Sequence, residues 1–472
     1  MTLVFQAIKI ATMLLSIVVL SRALEPRDFG LFAMVIAIVG VAEIFRDFGL
    51  SMAALQAKDV SQGQQSNLFW INLSIGCILA LATYFAAWPI GAFYGEPQVT
   101  EIAHWMSLTF VLNGASTQFK VVVNRRLQFV RLSLIDVAPY ALGLSGAIVA
   151  ALAGWGVMAL VTQQIVIAIM TLALALSFAR WLPSLPTRTP MGGLVGFGWR
   201  IAVTQTVGYF TRNVDSIAIG QVWGPSTLGF YDRGFQIVMM PINQINAPLS
   251  RVAVPTLARV RDDAVRYADA LRRTQFVTLY ATASIFGLLA GMGDLVTRIV
   301  LGDGWGLTGL IVQILAIGAI FRALSQVCYW IYVSKGLASA QMKYFLIAQP
   351  ALAVVVVGGV VWGAIGVAST YAIGLVVYWV VSLWWACRRA GLSAAPLFKD
   401  ATRAIVVFTA PAVIGSWLVS HAIDDKVGPI FAVLGGLGAA LALWSLSALA
   451  VPPIRRDLIS MVRIARSAFA RR

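Results

Sequence analysis

The stretch SRALEPRDFGLFAM, Ser21 to Met34, sets Glu25, Pro26, Arg27 and Asp28 between two long apolar runs. Proline ends one helix and is pre-shaped for the first position of the next, so these residues read as the turn of a helical hairpin. The flanking runs are long enough to cross a hydrocarbon layer of about 30 Å, which takes about 20 apolar residues. The rest of the chain has the same character. Of 472 residues, 60% are hydrophobic and 11% charged. A mean hydropathy of +0.84 exceeds what a soluble core can hide.

The expected fold is therefore all-α and polytopic in a membrane, with about fourteen transmembrane helices and short joints. The spans are expected at 3–24, 29–53, 67–90, 99–122, 132–153, 155–178, 193–222, 226–250, 274–292, 308–333, 340–361, 364–386, 401–420 and 428–450. The first run contains Lys9, is of full spanning length and lacks a small-x-small cleavage site before Glu25, so it reads as a membrane helix rather than a secretory signal. Cys77, Cys328 and Cys387 all fall in apolar segments without metal-ligand spacing, and no disulfide framework or metal site is expected.

A net charge of +16 raises the question of a nucleic-acid partner. The distribution of charge answers it. With a cytoplasmic N-terminus, the even-numbered joints and the C-terminal tail hold most of the Lys and Arg, while the odd-numbered joints hold only Arg27, Arg298 and Lys426. This is the positive-inside bias. Both termini are expected in the cytoplasm, the basic residues facing anionic membrane lipids, and no nucleic acid is implied. Two Arg-rich amphipathic stretches, TLARVRDDAVRYADALRR and IRRDLISMVRIARSAFARR, suit the headgroup level on that side.

A related phrase, GQVWGPSTLGFYDR, returns at Gly220–Arg233. Pro26 aligns with Pro225 and Gly30 with Gly229 at an offset of 199 residues, which also pairs Gln6 with Gln205, Thr12 with Thr211 and Leu50-Ser51 with Leu249-Ser250. The offset corresponds to six spans, an even number, so the two halves have the same orientation, as in parallel-repeat transporters. The expected organisation is a six-helix bundle at 1–180, a cytoplasmic linker at 181–192, a second six-helix bundle at 193–390, two further membrane helices at 391–450 and a basic amphipathic tail at 451–472. In each hairpin the glycine is expected to let the two spans pack closely.

Charge at mid-bilayer is expensive, so ionisable residues there normally face the bundle interior, a watery cavity or a partner. Lys9, Arg22, Arg46, Arg212, Arg233 and Arg322 fall within the spans, as do Glu43, Asp47, Asp136, Asp215 and Asp232, mostly on the two repeat hairpins. Gln205, Tyr209, Arg212 and Ser216 form one stripe at helical spacing. Glu43, Arg46 and Asp47 share a face, as do Asp232, Gln236 and Asn243, and Gln6, Lys9, Thr12 and Ser16 lie close on the first span. The candidate substrate-binding residues are Arg212, Arg46, Lys9, Arg322, Arg22, Arg233, Gln205, Tyr209 and Gln6. Asp215, Asp47 and Asp136 are candidates for proton or sodium coupling, each with a satisfied structural carboxylate as the plainer reading. His104 and His421 lie near the non-cytoplasmic face without sequence neighbours that suggest catalysis or metal binding. Walker A, HExxH and CxxC sequences and Asp-rich magnesium motifs are absent, so no cofactor is expected.

Several phrases together carry a family resemblance: LSRALEPRDFGLFAM, FRDFGLSMAALQAKDVS, NLFWINL, FYGEP, ALVTQQIV, TRNVDSIAIGQVWGPSTLGFYDR and PLSRVAVPTLARVRDD. The chain resembles Wzx-type polysaccharide flippases, in particular colanic-acid-exporter-like proteins, of the multidrug/oligosaccharidyl-lipid/polysaccharide (MOP) superfamily. The resemblance implies a MATE/MOP-like pair of six-helix bundles in the bacterial cytoplasmic membrane. It implies translocation of a polyprenyl-diphosphate-linked oligosaccharide by alternating access, for surface polysaccharide assembly beside a polysaccharide polymerase and a chain-length regulator. It also implies cations in a central cavity, for which Lys9, Arg46 and Arg212 fit best. The alternatives are a multidrug antiporter or peptidoglycan-precursor flippase of the same superfamily and, from another class, a membrane polysaccharide polymerase or ligase. The last would need a long outward loop brought together with Arg298 and His421.

Overall fold

The computed structural model describes residues 2–47, 61–187 and 192–459, and every regular element among them is helical. Helices α1 (Thr2–Ala23) and α2 (Pro26–Asp47) form the first hairpin, followed by α3 (Gln62–Tyr94), α4 (Pro97–Arg125), α5 (Phe129–Leu152) and α6 (Met158–Ala179). The helical stretch Gly192–Arg259 is broken at Gly224, whose φ of 77° lies in the left-handed region open to glycine. The break divides it into α7 (192–223) and α8 (225–259). There follow α9 (Ala264–Leu301), α10 (Gly306–Ser334), α11 (Ala338–Gly358), α12 (Gly363–Ala390) and α13 (Ala395–Ala404). A π-helical turn, Ile405–Thr409, joins α13 to α14 (Ala410–Val427), and α15 is Pro429–Ala450.

The all-helical, multi-pass membrane class is as expected. By length and apolarity, ten stretches among the described residues qualify as membrane spans. That measure joins α11 and α12 into one stretch and omits α4 and Gly192–Arg259, so it does not reach fourteen. The reason is polarity inside long helices: α4 carries Glu101, Asn113, Gln118 and Lys120, and α7 and α8 carry Arg212, Asp215, Asp232 and Arg233.

The opening turn is built from its own residues. Pro26 occupies the first position of α2, and the Asp28 carboxylate reaches back to accept from the Glu25 backbone N–H at 3.1 Å, closing an otherwise unpaired helix end. Arg27 Nη2 pairs with Glu96 Oε2 at 2.7 Å. The PRDFG phrase is thereby tied to FYGEP, where Gly95, at φ 69°, caps α3 and Pro97 starts α4.

Contacts divide the chain into two units, Met1–Gly229 and Phe230–Arg472. Within the first, the glycines of the two repeat turns have a role that differs from the expected packing inside each hairpin. A Cβ on Gly30 would lie 1.6 Å from the Pro225 carbonyl oxygen, and one on Gly229 would lie 1.8 Å from the Pro26 carbonyl oxygen. The two contacts exchange under the 199-residue offset. The turns thus pack on each other reciprocally, the pattern that a two-fold relation between like surfaces produces.

In the same unit, residues 181–187 are strapped to α3. Asn67 donates from Nδ2 to the Thr187 carbonyl at 2.6 Å and accepts from the Thr187 N–H at 2.9 Å, while Trp70 Nε1 donates to the Ser184 carbonyl at 2.9 Å. Losing two hydrogen bonds of about 1 kcal/mol each, Asn67→Ala should release this strap. Limited proteolysis should then cut near 181–187 about tenfold faster, with unchanged cutting as the contrary result.

In the second unit, α14 and α15 pack on α9, where a Cβ on Gly291 would meet Ser416 Oγ at 2.3 Å. A buried ionic network closes the other end. Asp400, with a side chain only 3% exposed, accepts from Arg272 Nε at 2.7 Å. Arg403 Nη2 lies 3.5 Å from Asp400 and 2.6 Å from Asp457, which also accepts from the Tyr280 hydroxyl at 3.1 Å. Removing one partner of a buried pair costs about 3–5 kcal/mol, because the remaining charge is stranded. Arg403→Ala should therefore lower the thermal midpoint of the detergent-solubilised protein sharply; an unchanged midpoint would deny the network a structural role.

Candidate functional site

In the first unit the polar side chains gather around α7. The Tyr209 hydroxyl donates to the Ile36 carbonyl of α2 at 2.6 Å, in a space that exists because residue 40 is glycine. Arg212, three residues along α7, and Glu43, one turn beyond Gly40 on α2, both lie near enough to this hydroxyl to act on it electrostatically. Asn113 Nδ2 of α4 approaches Glu43 Oε1 at 3.4 Å. Three helices thus supply one polar face. Arg212 is exposed and forms no ion pair among the described residues.

On α1, Lys9 Nζ stands 4.5 Å from the centre of the Tyr140 ring of α5, and Gln163 Nε2 of α6 donates to Ser16 Oγ at 2.9 Å. A ring face holds an ammonium by its quadrupole without neutralising it. Gln6 is exposed on the same helix, as is Arg22 near its end. Of the carboxylates proposed for ion coupling, Asp136 pairs with Lys120 Nζ at 2.8 Å. Asp215 is buried, 4% exposed, and accepts from the Ser216 N–H at 2.8 Å. Arg46, Asp47 and Gln205 lie on their helices, but their side chains fall outside the described residues.

In the second unit Arg233 is held by its neighbour Asp232 at 3.0 Å, and Gln236 donates to the same carboxylate at 3.0 Å. Arg322 of α10 donates instead to the Tyr371 hydroxyl of α12. Below it, Gln326 and Trp330 donate to Ser250 Oγ at 3.1 and 2.9 Å. The sequence candidates therefore separate. Lys9, Arg212 and Arg322 have no carboxylate within ion-pair distance among the described residues, whereas the Arg233 charge is matched locally. Tyr140, Asn113 and Tyr371 were missed because each lies far along the chain from the group it meets, and a lone Tyr or Asn in an apolar run carries no periodic signal.

Three comparisons bear on this arrangement. The profile of a family described as "Polysaccharide biosynthesis protein" matches residues 19–308. The chain belongs to this family. It is 22% identical over 382 residues to the lipopolysaccharide biosynthesis protein WzxC of Escherichia coli (strain K12), covering 78% of this chain and 76% of that one. It is 25% identical over 382 residues to the teichuronic acid biosynthesis protein TuaB of Bacillus subtilis (strain 168), covering 79% and 78%. Among solved structures it resembles the lipid II flippase MurJ in an inward closed conformation, with a TM-score of 0.72 over 97% of this chain and 100% of that one, at 13% identity. An inward-facing multidrug resistance MATE transporter of the MOP superfamily follows the same fold with a TM-score of 0.61 at 13% identity.

Membership of the polysaccharide biosynthesis family and the fold shared with MurJ agree with the helical architecture described above. The polymerase alternative needs a long outward loop beside Arg298 and His421. In the structure the joint between α9 and α10 is only Gly302–Trp305, and Arg298 is engaged by Asp424 at 3.0 Å and Asp303 at 3.7 Å.

Proposed function

We propose that this polysaccharide biosynthesis protein is a flippase. It moves a polyprenyl-diphosphate-linked oligosaccharide across the bacterial cytoplasmic membrane for the assembly of surface polysaccharide, with both termini in the cytoplasm and no bond made or broken. The observation that carries the reading is the set of cations on membrane helices that lack carboxylate partners among the described residues, Arg212 and Lys9 in the first unit and Arg322 in the second. Unneutralised cations are tolerated at that depth only where a polar surface or an anionic ligand meets them. A diphosphate is such a ligand, and a guanidinium presents it with forked donors.

The surrounding groups suit the rest of the substrate. Tyr209, Asn113 and Gln6 offer hydroxyl and amide partners for a sugar head, whose polar groups would each cost several kcal/mol if taken bare through hydrocarbon. The names of WzxC, TuaB and the succinoglycan biosynthesis transport protein ExoT of Rhizobium meliloti (strain 1021) agree with a role in polysaccharide assembly. A drug antiporter for cations would favour an acidic lining; here Asp136 is held by Lys120 and Asp232 by Arg233.

The test is reconstitution. Purified protein in liposomes loaded with a labelled polyprenyl-diphosphate oligosaccharide should expose the sugar of inner-leaflet lipid to an external glycosidase. Accessibility equal to that in protein-free liposomes would overturn the proposal.

A further inference from the structure

Helices α8 and α9 are joined by the short segment 260–263, and an open groove of about 460 Å³ runs along one side of this hairpin. Far from the joint the groove is apolar, lined by Leu249 and Val252 of α8 and Val277 of α9. Towards the joint it becomes polar. There α9 contributes Arg266, Asp269 and Arg273, and the two helices add Thr256 and Thr274.

The fold makes little use of these charges. Arg272, the neighbour of Arg273, is held by Asp400 at 2.7 Å, and Arg261 lies 3.6 Å from Asp262. The Asp263 carboxylate caps α9 by accepting from the Val265 and Arg266 N–H groups at 3.1 and 3.0 Å. Arg266 and Arg273 are exposed and have no carboxylate within ion-pair distance among the described residues. They stand two turns apart on one face of α9, about 10 Å along its axis, with Asp269 between them. Two guanidinium groups and one carboxylate leave the groove with a net charge of +1.

Thr256 Oγ1 donates to the Val252 carbonyl at 2.7 Å, and Thr274 Oγ1 to the Ala270 carbonyl at 2.8 Å. With its proton directed at its own helix, each hydroxyl presents lone pairs to a ligand. Together with Asp269 they set acceptors beside the two arginine donors. A fitting ligand brings one anionic group for the arginines, donors for these acceptors and an apolar chain for Leu249, Val252 and Val277. Arginines that merely snorkel to the headgroups would need neither of the last two.

We propose that this groove binds one anionic phospholipid with a hydroxylated headgroup, of the phosphatidylglycerol type, from the leaflet at the basic end of the hairpin. The phosphodiester receives forked donors from Arg266 and Arg273. The headgroup hydroxyls donate to Asp269 and the threonines, and an acyl chain runs towards Leu249 and Val277. The single negative charge of such a lipid balances the groove. A diphosphate would set excess negative charge against Asp269, and phosphatidylethanolamine, neutral overall, would leave one arginine charge unmatched. The proposal needs only the membrane placement of the chain and is independent of the flippase reading.

Native mass spectrometry of the full-length protein in detergent, titrated with phosphatidylglycerol, phosphatidylethanolamine or phosphatidic acid, reads the site. One phosphatidylglycerol should be retained about tenfold more tightly than either of the others. Arg266→Gln and Arg273→Gln should each weaken its retention about tenfold. The double variant Arg388→Gln, Arg389→Gln removes charge from the end of α12 and should leave retention unchanged. Val252→Trp, at a position 69% exposed, fills the groove without entering the core and should abolish retention. In Asp269→Asn the preference over phosphatidic acid should vanish. Equal retention of the three lipids by the parent, or a loss in the α12 variant as large as in the groove variants, would reduce the site to diffuse attraction and overturn it. Unaltered retention in the two groove arginine variants also overturns it. Displacement of phosphatidylglycerol by a lower concentration of a polyprenyl diphosphate would assign the groove to that ligand and overturn the phospholipid.

Discussion

Replacing Arg212 by alanine is expected to abolish polymer export while leaving the protein in the membrane at its normal level. The side chain is exposed on α7 and has no ion-pair partner among the described residues, so its removal strands no buried carboxylate and opens no core cavity. Its loss should fall on ligand binding. A hydrogen bond to a charged group contributes about 1.5–3 kcal/mol, and the two of a forked contact correspond to about a hundredfold or more in affinity. Arg212→Lys retains the charge but not the fork and should fall between the two. The measurement is surface polymer together with lipid-linked precursor on the cytoplasmic leaflet. Precursor should accumulate in Arg212→Ala. Normal export by that variant would remove Arg212 from the binding surface.

An effect of comparable size, but on stability, is expected at the two turns. Gly30→Ala and Gly229→Ala each place a methyl group within 2 Å of a backbone carbonyl oxygen on the other turn. Neither neighbour is the tip of a flexible side chain, so the backbones themselves must part. Overpacking of this kind costs about 3 kcal/mol or more. Each variant should show a lowered thermal midpoint in detergent. The double variant should lose less than the sum, because both substitutions open one shared interface. Strict additivity, or an unchanged midpoint in the single variants, would mean that the turns do not bear on each other as the structure has them.

These two expectations differ in how far they could be read from the chain. Arg212 stands out in sequence, as a charge on a stripe of polar residues at helical spacing in an apolar segment. That Gly30 and Gly229 matter was also legible, through the repeat offset. What they touch was not. Sequence placed each glycine within its own hairpin, whereas the structure sets each against the proline of the other repeat. Likewise Arg27 and Glu96 sat in two recognisable phrases, PRDFG and FYGEP, without any indication that they pair. The hydrogen bond between Asp294 and His421, at 2.8 Å, left no local mark at all. Each is a single polar residue near the end of an apolar run, and helical periodicity reports only partners three or four residues away.

Sequence alone determined the class of this protein. Its excess of apolar residues over what a core can bury and its span-length runs follow from the transfer of side chains out of water, which depends on residue type and run length rather than on neighbours in space. Only the tertiary structure decided which charges are matched. Asp232 holds Arg233 and Lys120 holds Asp136, whereas Lys9 meets a tyrosine ring and Arg322 a tyrosine hydroxyl. The physical reason is that electrostatic pairing falls off over a few ångströms, and helices distant in sequence are brought within that range only by packing.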